Sequence, residues 1–169
     1  MTKEEIGQAW STGMIGDGTC WELTKMYVAF FDGSCEPRNP GGRMGFGFLV
    51  LKDGKRVQQF SAFRPAAPEN SNNVAEYLAF SAMLDWFLAA NLVNETIVAK
   101  GDSQLVINQM FGSWKIKRGA YVGEALLAKR KMTKFSALYG RWVSRRRNAD
   151  ADALSRSGDQ IGQSLRHRN

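Results

Sequence analysis

The stretch MYVAFFDGS, residues 26–34, decides the fold. An unbroken apolar and aromatic run that closes on Asp-Gly reads as a strand buried on both faces. Immediately downstream, GFGFLVL (45–51) and RVQQFSAF (56–63) flank Lys52-Asp53-Gly54-Lys55. Asp-Gly supplies the positive φ angles of a two-residue hairpin turn, so the first three strands are expected to be antiparallel neighbours. Further along, residues 72–90 (NNVAEYLAFSAMLDWFLAA) combine high helix propensity with apolar residues on most faces, which predicts a deeply packed helix. TIVAK (96–100) reads as a strand leading into a helix over 102–111, and a basic helix follows over about 121–135. ALYGRWV (137–143) is a further strand, and Asn148 opens a last helix. The order βββαβααβα predicts an α/β domain, a mixed sheet with helices on both faces.

The chain has 169 residues and 44% hydrophobic content, enough for one core and one domain. Residues 1–24 show no sustained period and read as an irregular leader, residues 25–157 as the domain, and residues 158–169 as a polar, basic tail expected to fray. The start lacks the basic and apolar regions of a signal peptide, and nothing approaches the roughly 18 apolar residues that span a bilayer. A cytoplasmic protein without a membrane partner is expected. Cys20 and Cys35 lack CxxC spacing and the only histidine is His167, so both cysteines read as free thiols and a zinc site has too few ligands.

The net charge of +7 is unevenly placed. Between Gly112 and Arg147 stand Lys115, Lys117, Arg118, Lys129, Arg130, Lys131, Lys134, Arg141, Arg145, Arg146 and Arg147 against the single acid Glu124. Such a cluster suits a polyanion partner, nucleic acid above all, and a solvated helix face equally well.

Among the acids, each candidate has a structural explanation of its own. Asp32 reads as a strand-end turn residue before Gly33. Glu76, three residues after Asn73, fits a capping box. Asp102 fits a helix N-cap, and also the carboxyl end of a strand, where open α/β sheets bind ligands. Asp150 and Asp152 lie about 200° apart around a helix, so only one of them can face a common site, and local geometry does not choose between them. Together, acids at element edges would repel unless cations sat among them. Oxygen ligands without a histidine or cysteine cluster point to hard divalent ions, Mg²⁺ or Mn²⁺.

The segments FDGSCEPRNPGG (31–42), NSNNVAEYLA (70–79), KGDSQLVINQM with GSWKIK (100–117) and WVSRRRNADADAL (142–154), in this order, resemble a type 1 ribonuclease H of the compact prokaryotic and phage kind. The resemblance covers about four fifths of the chain. It implies a ribonuclease H-like fold with a five-stranded mixed sheet in the order 3-2-1-4-5. It also implies a monomeric endonuclease that hydrolyses the RNA strand of RNA/DNA hybrids with two Mg²⁺ (Mn²⁺ as substitute), leaving 3′-hydroxyl and 5′-phosphate ends.

The implied catalytic and metal-ligating set is Asp32, Glu76, Asp102 and Asp152, because Asn148, Asp152 and Leu154 satisfy the family's register. Asp150 falls on a variable position. Gly33, Ser34, Asn72, Asn73 and Gln104 are implied to read the RNA strand, with Asn39 and Asn148 among the substrate contacts. Ser71, Trp114, Lys115 and Lys117 are implied to grip the DNA strand, although Trp114 reads almost as well as core. Where many members carry a histidine before the last helix, this chain has Ser144-Arg145-Arg146-Arg147, so Arg145 or Arg146 is left to neutralise phosphate without shuttling protons. The basic handle of some members is shortened, and the leader is too short for the added hybrid-binding domain of others. Two other classes fit less well: a binding module without catalysis would gain nothing from acids facing phosphates, and the Asn73–Glu76 helix start and the Asp102-Ser103-Gln104 segment speak against a relative acting on DNA.

Overall fold

A computed structural model describes residues 26–166, so the leader lies outside the described residues. Strands β1 (Met26–Glu36), β2 (Arg43–Lys52) and β3 (Lys55–Arg64) are followed by helix α1 (Asn72–Ala89), strand β4 (Thr96–Gly101), helices α2 (Gln104–Met110) and α3 (Val122–Met132), strand β5 (Ala137–Trp142), a 3-10 turn (Arg145–Asn148) and helix α4 (Ala149–Arg166). They form a five-stranded sheet in the order β3-β2-β1-β4-β5. The hairpins pair antiparallel and β4 and β5 join parallel to β1, as expected. Asp53 and Gly54 take φ angles of 52° and 73°, the left-handed pair the hairpin required.

The period-two alternation of strands divides the sheet into two faces. Tyr27, Ala29 and Phe31 of β1, paired with Phe48 and Val50 of β2, bury against α1, α2 and α3. Phe31 meets Phe80 of α1 with ring centroids 5.2 Å apart. Burial of each such ring is worth about 1.5–3 kcal/mol. The opposite face carries Gly45, Gly47 and Leu49 of β2 beneath α4. Here β1 departs from the reading of full burial, since Met26, Val28 and Phe30 are only half-covered.

Four local readings change. β1 runs past Asp32 to Glu36, so Asp32 is an interior strand residue, 5% exposed, rather than a turn residue. The N-cap of α1 is Ser71, whose hydroxyl accepts from the Val74 amide, so Asn73 and Glu76 form no capping box. The cap of α2 is Ser103 rather than Asp102. The last helix continues to Arg166, through most of the expected tail.

Two glycines set the spacing of the layers. A Cβ on Gly33 would overlap the backbone of Ala75 and Glu76, and one on Gly45 would overlap the Ser155 carbonyl. The first lets α1 lie directly on β1, and the second seats α4 on β2. Gly45→Ala is expected to destabilise the fold by about 2–3 kcal/mol, because the clashing atom is backbone and cannot swing aside. Urea unfolding measures this; a loss under about 0.5 kcal/mol would show that α4 is not seated by that contact.

Candidate active site

Asp32, Glu76 and Asp102 come from three separate elements, yet carboxylate oxygens of all three lie within 4.8 Å of one another. The fold produces this directly. Pairing of β1 with β4 stops at Phe30 and Lys100, so Asp32 and Asp102 project just beyond the last paired row at the carboxyl ends of two parallel strands. The Gly33 contact then delivers Glu76 from the first turns of α1.

Supporting groups hold two of these acids in place. The Asn148 amide donates to the Phe31 carbonyl (2.9 Å) and to Asp102 Oδ1 (3.2 Å), while the Trp142 indole donates to the Asp102 carbonyl (3.0 Å). Ser155, fully buried on α4, lies 2.7 Å from Asp32 Oδ2 and 2.9 Å from the Asp152 carbonyl. Its hydroxyl has one proton to share between these two acceptors.

Burial, followed by the charges of Asp102 and Asp152, pushes Asp32 up to about 7 against the pull of the Ser155 hydrogen bond. Burial, then the charges of Asp32 and Asp102, lifts Glu76 well above the carboxylate range. Glu76 Oε2 is buried without a hydrogen-bond partner among the described residues. Three converging carboxyls, one with an orphaned oxygen, form an all-oxygen donor set that fits a hard divalent cation.

Asp152 stands beside this trio and is otherwise engaged. Arg145 reaches its Oδ1 at 2.9 Å, and Arg156 its Oδ2 at 3.3 Å. Asp150 is highly exposed and pairs with Arg56 at 2.9 Å on β3. The two aspartates therefore face different partners, as their helical separation requires.

The remaining predicted residues fall into three groups. Asn39, Asn72 and Asn73 are exposed at the head of α1, where Asn39 Oδ1 accepts from the Asn72 amide (3.0 Å), with Ser71 at the cap. Gly33 and Ser34 follow Asp32 on β1, and Gln104 is exposed at the start of α2. Trp114, Lys115 and Lys117 are exposed on a separate loop after α2; Trp114 is 49% exposed, which removes its reading as core. That loop is tied down by buried Gln109, which donates to the Lys115 carbonyl (2.9 Å) and Tyr121 hydroxyl (3.2 Å) and accepts from Tyr77 (2.6 Å). Arg145 and Arg146 are exposed on the 3-10 turn. Asn148, expected to touch substrate, is fully buried, and its amide is spent on Phe31 and Asp102.

Ser155, Arg156 and Gln109 were not foreseen. Ser155 and Arg156 lie three and four residues after Asp152, so helical spacing alone could have placed them beside it.

Residues 30–158 match the family described as reverse transcriptase-like. The chain belongs to this family, whose fold is ribonuclease H-like. Among its relatives, the bifunctional protein Rv2228c of Mycobacterium tuberculosis is 34% identical over 118 residues, 69% of this chain and 31% of that protein. Ribonuclease HI of Halobacterium salinarum is 34% identical over 127 residues, 75% of this chain and 61% of that protein. The crystal structure of RNase H1 from that archaeon shares 30% identity at a TM-score of 0.69, covering 80% of this chain and 98% of that one. LC11-RNase H1, solved in complex with an RNA/DNA hybrid, shares 28% identity at a TM-score of 0.69 over 82% of this chain and 99% of that one. The chain thus spans less than two thirds of the length of these two curated relatives.

A stability prediction follows from the crowded acids. Asp32 and Glu76 hold their protons to higher pH when folded than when unfolded, so the folded state binds more protons between the two ranges. For Asp32 this contribution to stability is present below about pH 4 and is lost as pH rises through about 7, and that of Glu76 is lost as pH rises through its own raised range. In EDTA at pH 7.5, Glu76→Gln is expected to raise Tm by roughly 3–8 °C and to shrink the Tm gain on adding Mg²⁺. Scanning calorimetry of both proteins decides it: a lower Tm for the variant in EDTA would contradict the account.

Proposed function

We propose that this protein hydrolyses the RNA strand of RNA/DNA hybrids, leaving 3′-hydroxyl and 5′-phosphate ends. Two divalent cations, Mg²⁺ with Mn²⁺ as substitute, would be held by Asp32, Glu76, Asp102 and Asp152. The observation that carries this reading is the convergence of three carboxyls, one with an unpartnered buried oxygen, at the carboxyl edge of the central strands. The hybrid bound by a protein of the same fold, LC11-RNase H1, supports the choice of substrate.

Divalent cations bound there would supply acidification of water and neutralisation of phosphodiester charge. The protein's own residues do the rest. Asp32 and Glu76 give up their protons when the site is loaded, which makes occupancy pH-dependent. Asn148 and Trp142 fix Asp102, and Ser155 fixes Asp32, so the donors need little reorganisation. Asp152 joins the set when Arg145 swings from it toward a substrate phosphate, an exchange of one anionic partner for another. Gly33, Ser34, Asn72, Asn73 and Gln104 border the acids on β1, α1 and α2 and sense the 2′-hydroxyls that distinguish RNA from DNA. Ser71 and the Trp114–Lys117 loop hold the DNA strand through its phosphates.

The test is incubation with labelled RNA/DNA hybrid, double-stranded RNA and double-stranded DNA, each with Mg²⁺ or EDTA. Cutting of the hybrid alone, only with Mg²⁺, is expected; cleavage of duplex DNA instead would overturn the proposal. Asp102→Asn is expected to leave under about 1% of the activity with the fold intact. Asp152→Asn should lower activity about 100-fold, whereas Asp150→Asn, which breaks only an exposed ion pair, should stay within about twofold. Equal losses for the two aspartates would show that the wrong one has been assigned.

A further inference from the structure

Lys100, Arg141 and Arg147, cations that the proposed reaction leaves unused, lie on the side of the sheet opposite α1. Leu49, Phe30, Lys100 and Arg141 are register partners across β2, β1, β4 and β5, so their side chains form one row on the face that α4 covers. Lys100 Nζ sits 5.3 Å from the centroid of the Phe30 ring. Helix α4 packs on β1, β2 and β3, while β4 is met on this side by the 3-10 turn. Arg146 and Arg147 of that turn line a cavity of about 280 Å³ floored by Phe30, Leu49 and Leu51.

Among the described residues, no carboxylate lies within 4.0 Å of Lys100, Arg141, Arg146 or Arg147, and none of their side chains makes a hydrogen bond. The acids on this side are already committed, Asp150 to Arg56 and Asp152 to Arg145 and Arg156. Arg141 and Arg147 are exposed and Lys100 is half-buried. Lys100, Arg141 and Arg147 thus gather like charge with no balancing carboxylate among the described residues, an arrangement that suits a polyanion ligand.

The cluster also adjoins the site along the chain. Lys100 precedes Asp102 by two residues, Arg141 adjoins Trp142, which bonds the Asp102 carbonyl, and Arg147 adjoins Asn148, which bonds its carboxylate. The Trp114–Lys117 loop follows α2, which belongs to the other face. The acids thus lie between two cationic regions.

We propose that Lys100, Arg141 and Arg147 form a second phosphate-binding ridge, which takes the nucleic-acid backbone where a long duplex runs off the acidic site over the α4 side. This rests on the hybrid reading above and extends it to substrate length.

The experiment measures binding by fluorescence anisotropy in Ca²⁺, with hybrids of about 8 and about 24 base pairs over a range of salt concentrations. Wild type is compared with the Arg141→Gln/Arg147→Gln double variant, which retains most of each side-chain stem. For the long hybrid, the variant should bind roughly 5- to 20-fold more weakly, and the slope of log K against log salt should flatten by about 0.9 for each lost phosphate contact. The short hybrid should bind equally to both proteins, and kcat on saturating long hybrid should be unchanged. Tm should stay level or rise, since like charges are removed. An unchanged salt slope and affinity on the long hybrid would overturn the ridge, as would equal weakening on the short one. Failure of the hybrid reading is separately visible, as wild-type protein that does not prefer hybrid over double-stranded DNA and double-stranded RNA.

Discussion

Crowding of like charge is the constraint on which this structure turns. Asp32, Glu76 and Asp102 are held closer together than carboxylates tolerate when ionised, and the fold resists their separation. The resistance comes from backbone. Gly33 lies against Ala75 and Glu76, so α1 cannot retreat from β1 without opening the layer that buries Phe31, Phe80 and Phe48. The core thus holds the acids in an arrangement they would not choose. Burial and proximity are expressed as retained protons on Asp32 and Glu76, and a divalent cation is the natural replacement for those protons.

Around the trio the protein divides labour between neutral and charged supports. Asn148 and Ser155 are buried, neutral and fixed, so they can orient Asp102 and Asp32 without adding charge. Arg145 is exposed, and it is paired with Asp152, the one proposed ligand that stands outside the trio. An exposed arginine exchanges partners at low cost, because its surface ion pair is worth at most about 1 kcal/mol. This suits a loop that has arginines where a histidine is often found.

The supports also explain why the 3-10 turn between β5 and α4 is so dense in function. Within four residues it holds Arg145 against Asp152, directs Arg146 and Arg147 over the cavity beside Phe30, and buries Asn148 beneath Asp102. A 3-10 turn offsets successive side chains by about a third of a revolution, so adjacent residues can serve different sides of the site.

Much of this was legible in the residues. The apolar run at 26–31, the Asp53-Gly54 turn and the alternation of strand and helix periods determined the element order. Sequence misread the local role of Glu76 and Asp102, because an acid near a helix start looks like a cap whether or not a nearby serine does the capping, as Ser71 and Ser103 do, and it misread Asp32 as a turn residue because Asp-Gly also marks turns. Only the tertiary structure decided that Asn148 is buried, that Ser155 meets Asp32 from 123 residues away, and that Arg145 and Arg156 claim Asp152. The physical reason is that patterning records which face a residue occupies within its own element. Which distant group it meets is set by how closely the layers approach, and here that distance is governed by glycines whose missing side chains carry no pattern.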